Sequence, residues 1–356
     1  MANYLTLAVA GSRKTQGIVE HCASLPQTRR ALVVTYTQTN QAELRARLST
    51  HAGNHPGIQV MGWFTFLLRD FARPFLPFKF HGQRIEGFNF DGRPYRMAKG
   101  LRRFLDSKEA AYACELGRLA HELVEASNGA LIHRLECIYD EILIDEVQDL
   151  SSHDWEIIDV LLESSIDIRM VGDIRQSVLS TNPRSSKNKK YAYADAIGWF
   201  REREGLGNLN IIENNTTWRC HSNIAAFSDT IFDSSWSFPM TESLNDTDTG
   251  HDGVFLLRDE DITDYLARFS PQCLRSTANS GKALDLDYLN FGLAKGMAYK
   301  RVLIVPTDGI TKFVQSNKPL DPKPAANFYV AVTRAEQSVA IVMREPGASA
   351  IPYWEP

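Results

Sequence analysis

The chain has 356 residues, 44% hydrophobic and 23% charged, a composition ordinary for a soluble globular protein and long enough for two domains with cores of their own. Its formal charge of −4 is too small to attract or repel a polyanion as a whole, so any phosphate-binding surface has to come from local basic patches. Cys22, Cys114, Cys137, Cys220 and Cys273 are odd in number and widely spaced, which argues against a disulfide framework and a zinc site and for a reducing cytoplasm. The amino terminus reads as the start of a strand rather than a signal peptide, and no apolar run approaches membrane-spanning length.

Residues 5–10 read as a first strand, and Gly11-Ser12-Arg13-Lys14-Thr15 follows it ahead of a helix through about Cys22. Strand, tight loop and helix are the context of a phosphate loop, in which backbone amides and the helix start cradle phosphates, Lys14 reaches their oxygens and Thr15 offers a hydroxyl to Mg²⁺. The usual pattern has glycine where Ala8 and Arg13 stand, so the loop reads either as a degenerate phosphate loop or as a basic turn. A second strand, residues 31–35, leads through small polar residues including Thr37 and Asn40 into a helix, whose amides can face a phosphate of a nucleic acid or simply cap a surface helix. A third strand, residues 58–61, runs into Trp63 and Phe64, rings suited to the core or to stacking on single-stranded bases.

Residues 71–134 show no strand alternation and read as a helical insertion, loose over residues 74–92, with helices at residues 95–105 and 109–126. Its apolar positions Leu101, Leu105, Ala113, Leu116, Leu119 and Leu123 serve either as a docking surface or as the closure of a compact subdomain. The β-branched-rich run Ile142-Leu143-Ile144 then reads as a buried parallel strand delivering Asp145, Glu146 and Asp149 to its carboxyl end, with Ser151 or Ser152 capping the next helix. Adjacent carboxylates at such a tip suit a division of labour: Asp145 holds a hydrated Mg²⁺ and Glu146 takes a proton from an attacking water. Residues 168–171 form another strand, ending near Gln176, whose amide can sense a terminal phosphate. Arg184, Lys187, Lys189 and Lys190 then make a basic loop, either solvated or placed to touch a nucleic-acid backbone.

Residues 209–213 read as the opening of a second sheet, followed by Thr217-Trp218-Arg219, a flat ring beside a planar cation. Residues 234–253 read as a polar loop, with later strands at 254–257, 301–305 and 338–343. Lys295-Gly296-Met297-Ala298-Tyr299 precedes the second of these and Tyr329-Val330-Ala331-Val332-Thr333-Arg334-Ala335 the third.

In this order the pieces resemble superfamily 1 helicases of the UvrD/Rep-like group, in a compact form without the large accessory subdomain. The resemblance implies an α/β fold of two RecA-like domains with parallel sheets, residues 1–205 with the insertion 71–134 and residues 206–356, with ATP between them and single-stranded DNA across both. It implies that Gly11, Ser12, Arg13, Lys14 and Thr15 bind phosphate, that Asp145 and Thr15 hold Mg²⁺, that Glu146 is the catalytic base and Gln176 the γ-phosphate sensor. Arg219 and Arg334 would be arginine fingers, and Trp218 would stack on adenine. Thr37, Asn40, Trp63, Phe64, Lys187, Lys189 and Lys190 would contact DNA. Ala298 stands where the family has an acid that contacts the sugar. The expected activity is ATP-driven translocation or unwinding, 3′ to 5′, inside a larger assembly with copies of itself or with an effector such as a nuclease. The runner-up is a regulatory component that binds ATP and DNA with little hydrolysis; a phosphotransferase fits the paired arginines less well.

Overall fold

The computed structural model describes residues 3–53, 55–282, 284 and 286–356. Six short strands, β1 (Tyr4–Ala8), β2 (Ala31–Thr35), β3 (Ile58–Gly62), a later pair at Glu141–Asp145 and Asp167–Gly172, and Asn210–Asn214, form one parallel sheet. Two further short strands, β4 (Gly87–Asn89) and β5 (Ala110–Tyr112), pair with each other outside it. With Glu141–Asp145 as β6, Asp167–Gly172 as β7 and Asn210–Asn214 as β8, the sheet runs β3-β2-β6-β7-β1-β8. Every residue of β2 and β6 is buried, as expected of strands covered on both faces.

This order decides where the candidate site residues sit. Asp145 pairs with Val171, and Leu7 pairs with Gly172, so β6, β7 and β1 end side by side at one level. The candidate phosphate loop (residues 11–15), the acidic cluster and Gln176 all leave from those three carboxyl ends, the position at which α/β sheets bind ligands. A Cβ on Gly172 would come within 2.4 Å of Gln148 Oε1 and 2.9 Å of Val147 Cγ1, so a glycine there lets the acidic loop lie directly against β7.

The second unit is a five-stranded parallel sheet in the order β11-β15-β14-β12-β13, formed by β11 (Gly253–Leu257), β12 (Gln272–Arg275), β13 (Tyr288–Asn290), β14 (Tyr299–Val305) and β15 (Ala335–Val342). Between the two sheets lies a parallel pair, β9 (Thr216–His221) and β10 (Glu242–Asn245). These two parallel sheets give the α/β architecture expected of two RecA-like domains. β8, expected to open the second sheet, instead pairs with β1 from Tyr4↔Asn210 to Ala8↔Asn214, and only Asn215 separates it from β9. A boundary at residue 205 would cut this strand from its sheet; the first unit runs through Asn214. The polar stretch expected as loop contains β10, and β12 and β13 add two strands that the sequence pattern does not mark.

In the insertion the helices differ from expectation. Residues 95–105 form only a single tight turn, Gly100–Arg103, because Gly100 takes φ +58 and Pro94 and Gly92 break the preceding backbone. Helical structure instead runs from Trp63 to Lys79, widening over Leu67–Ala72 into a π-helical turn, and returns at Ala113–Ala126 and Ala130–Ile138. Leu105, Ala113, Leu116, Leu119 and Leu123 are buried and Leu101 packs against the same core. That core also contains Leu32, Ile142 and Ile144 of the first sheet. These leucines are therefore internal, as the compact-subdomain reading has it, and are not a docking surface. The helix after β6 begins at Asp154 without a side-chain cap; neither Ser151 nor Ser152 caps it, and the Asp154 carboxylate accepts the Ser151 N–H instead, at 3.3 Å.

Candidate active site

The candidate phosphate loop turns through Gly11 at φ +77 and Arg13 at φ +61, and its helix begins at Lys14. A side chain at position 11 would meet Arg219 Cβ at 2.6 Å and Thr217 Oγ1 at 2.7 Å, so glycine there admits both the left-handed backbone and the close approach of β9. β9 is held on the loop by Thr217 Oγ1 donating to the Ala10 carbonyl at 2.7 Å and Trp218 N–H donating to the Gly11 carbonyl at 3.1 Å. Ser12 Oγ is buried without a hydrogen-bond partner.

Asp145 and Glu146 occupy the tip of β6. Glu146 adopts the left-handed conformation, φ 54, and its N–H donates to Asp145 Oδ1 at 3.0 Å. A non-glycine residue held there is costly and marks a site where geometry is fixed by its surroundings. Gln148 Nε2 donates to the Glu146 carboxylate. Lys295 Nζ reaches across from the second unit to Glu146 at 3.2 Å and to Asp149 at 2.7 Å.

Burial pushes the Asp145 carboxyl well above its ordinary value, and the Glu146 charge pushes the same way. For Glu146 burial again raises, but Lys295 and Lys14 outweigh it and hold the group ionised. The pair thus has one carboxylate fixed as an anion and one whose charge lacks compensation. Such a donor set fits a divalent cation, which would relieve the uncompensated charge on Asp145.

Gln176 leaves β7 through a short turn in which its Nε2 donates to Asp173 Oδ2 at 2.7 Å, and its Oε1 accepts from Arg334 Nη2 at 3.0 Å. Arg334 is only 1% exposed. Its other partners are neutral: the Val330 carbonyl at 3.0 Å, the Met297 carbonyl at 3.1 Å and Thr333 Oγ1 at 3.2 Å. Burial, and next the nearby Arg219, lower its pKa to about 10. Arg219 itself donates to the Thr333 carbonyl at 3.2 Å. Two arginines side by side, one buried and neither paired with a carboxylate among the described residues, call for an anion between the sheets.

Trp218 is 47% exposed, with the Arg13 guanidinium lying over its ring, Cζ 3.8 Å from the centroid. The residue replacing the expected glycine therefore covers a face of the ring expected to take the base. Arg13→Gly should tighten nucleotide binding about 2- to 30-fold, the range of a cation–π contact of about 0.5–2 kcal/mol that no longer has to be broken. The gain should vanish in a Trp218→Ala background. Weaker binding by Arg13→Gly in a fluorescent-nucleotide titration would show that Arg13 contacts the ligand instead.

The DNA-contact expectations divide. Trp63 is 1% exposed and belongs to the core beside Phe66, so it has no face for a base. Phe64 is half-buried, edge-on to Phe90 at 5.7 Å and beside Tyr36 at 5.9 Å, and Phe90 is exposed. Thr37 spends its hydroxyl capping the helix Gln38–His51, accepting from Asn40 N–H at 3.1 Å. Lys187, Lys189 and Lys190 are exposed, but Lys187 pairs with Glu156 at 2.8 Å and Lys190 lies over the Tyr191 ring.

Two contributors carry no role that the sequence pattern assigns. Lys295, just noted, clamps the acids; its signal is a lysine before Gly296, whose φ is +87. Tyr329 is the other: its hydroxyl donates to Asp173 Oδ2 and accepts from Ala10 N–H, each at 3.3 Å, joining the segment before Arg334 to both β7 and the phosphate loop. Tyrosine inside an apolar helix gives no sequence signal separable from core packing.

Residues 78–181 match the model of the UvrD/REP helicase N-terminal domain. Over that stretch the chain is similar to the UvrD/REP helicases. The match contains Asp145, Glu146 and Gln176, while Lys14, Arg219 and Arg334 lie outside it. Among curated relatives, an ATP-dependent helicase/nuclease protein of Lactococcus lactis subsp. lactis (strain IL1403) is 35% identical over 108 residues, covering 28% of this chain and 9% of the relative. The exonuclease/helicase protein RexA of Lactococcus lactis subsp. cremoris (strain MG1363) matches to the same extent. The matched part is thus less than a tenth of these relatives' length. Arterivirus nonstructural protein 10, a helicase, superposes over 96% of this chain and 59% of its own, with a TM-score of 0.48 and 14% identity. No helix among the described residues is long and apolar enough to cross a membrane.

Proposed function

We propose that this chain is an ATP-dependent translocase or helicase on single-stranded DNA, with its nucleotide bound where the two sheets face each other. The reading rests on Arg334: a buried guanidinium with only neutral partners, hydrogen-bonded to Gln176 at 3.0 Å and set beside Arg219. A triphosphate supplies the missing anion. Gly11, Ser12, Lys14 and Thr15 would cradle it, Asp145 and Thr15 would hold Mg²⁺, and Glu146, kept ionised by Lys295 and Lys14, would accept the proton of the attacking water. Mg²⁺ would supply charge neutralisation at the phosphates. Arg219 and Arg334, carried by the second unit, would reach the phosphates only when the units are closed, so hydrolysis would be tied to their relative motion.

Movement 3′ to 5′ is carried over from the resemblance. The relatives, whose names join helicase with nuclease, motivate a further proposal, that the chain works with a nuclease activity in a larger assembly. Five free cysteines among the described residues accord with a cytoplasmic setting. Steady-state hydrolysis with and without single-stranded DNA tests the central reading; stimulation by the strand is expected. Nucleotide binding without turnover under either condition would favour the regulatory reading, toward which the Arg13 cover on Trp218 points.

For DNA, the exposed basic loop gives a graded expectation. Lys189→Gln and Lys190→Gln should each flatten the salt dependence of single-strand affinity by about 0.7 in log–log slope, the value for one lost phosphate contact. Lys187→Gln should change it less, because Glu156 already neutralises that lysine. Equal slopes for wild type and the triple variant would leave the loop merely solvated.

A further inference from the structure

The insertion builds a cavity apart from the nucleotide site. It measures about 520 Å³, within the range of small-ligand pockets. Lys79, Arg96, Lys99, Arg103 and Arg118 line it, and Glu122 is the single carboxylate among the lining residues. Glu122 is shared between Lys79 at 3.1 Å and Arg118 at 2.8 Å, and Arg103 meets Glu115 at 2.7 Å. Arg96 and Lys99 make no ion pair among the described residues, and both are exposed. Arg103 Nε is buried with no hydrogen-bond partner, so its guanidinium is incompletely satisfied. The lining also includes the exposed Met97 and the half-buried Phe80, backed by the buried Phe104 with ring centroids 6.0 Å apart. In a chain of net charge −4, this is a concentrated positive recess with a ring-bearing wall.

We propose that this cavity is a binding site for a phosphomonoester attached to a flat organic group, a free nucleoside monophosphate or the phosphorylated end of a strand. The dianion of a monoester near neutral pH matches the two unpaired cations, Arg96 and Lys99, with Arg103 as a planar donor. The attached ring system rests on the half-buried Phe80 ring and the exposed Met97 side chain. This site does not depend on the ATP reading, since none of its residues belongs to the phosphate loop or the acidic cluster.

Calorimetric titration of the full chain carrying Lys14→Ala, which removes the cation of the phosphate loop, separates the two. AMP and single-stranded oligonucleotides with and without a 5′-phosphate serve as probes. The expected result is binding of AMP, or of the phosphorylated oligonucleotide in preference to the unphosphorylated one, weakened at least tenfold by Arg96→Glu with Lys99→Glu and unchanged by Trp218→Ala. AMP binding identifies a free organic phosphate as the source; binding of the phosphorylated strand without AMP identifies a strand end. Equal binding of both oligonucleotides without AMP binding would overturn the proposal in favour of a phosphodiester contact. Absence of binding by every probe, or affinity indifferent to the two charge reversals with the thermal melt intact, would overturn it outright.

Discussion

Arg334→Lys is expected to lower DNA-stimulated ATP hydrolysis by about a thousandfold while leaving nucleotide affinity within about threefold, because an arginine finger acts on charge that develops in transfer. Lysine keeps the positive charge but cannot reproduce the planar fork that now spans the Val330 and Met297 carbonyls and Gln176 Oε1. The same partners make the residue part of the fold, so a thermal melt must accompany the kinetics. A folded Arg334→Lys variant with wild-type turnover would remove Arg334 from the chemistry and leave it as a strut between Gln176 and the second unit.

The other large effect belongs to Glu146. Glu146→Gln should lower turnover by at least about a hundredfold, the lower end of what a placed base contributes, with nucleotide binding nearly intact. The structure adds a reason to expect binding to survive: Lys295 keeps Asp149 as partner at 2.7 Å, so the contact between the units outlasts the loss of the Glu146 charge. Rapid hydrolysis by Glu146→Gln in a single-turnover measurement would mean that another group takes the proton.

Residues that announce themselves by local pattern are legible in the sequence, and those defined by distant contacts are not. β2 is legible to its ends because a continuous apolar run bounded by polar residues has one interpretation. β8 is legible as a strand but not as a member of its sheet, since alternation says nothing about which neighbour supplies the hydrogen bonds; its partner β1 lies at the other end of the first unit's sequence. β12 and β13 are four and three residues long, below what periodicity resolves. Trp63 and Phe64 look like one aromatic feature, yet they start a helix, so adjacent rings face different ways and only one can be inside. Lys14, Asp145, Glu146 and Gln176 stand out because each lies at or soon after the end of a strand, and the sheet order then brings those strand tips together. Lys295 lies 146 residues from Asp149 in sequence, and nothing local marks it as the acids' partner.

Asn215, the lone residue between β8 and β9, leaves almost no slack between the first sheet and the strand that carries Arg219. β8 is paired with β1 as far as Ala8↔Asn214, and β9 follows at once, tied to Ala10 and Gly11 by Thr217 Oγ1 and Trp218 N–H. Arg219 therefore cannot drift far from the loop while those two bonds stand. A shift of the loop would be handed straight to the strand bearing Arg219, with no intervening linker to absorb it.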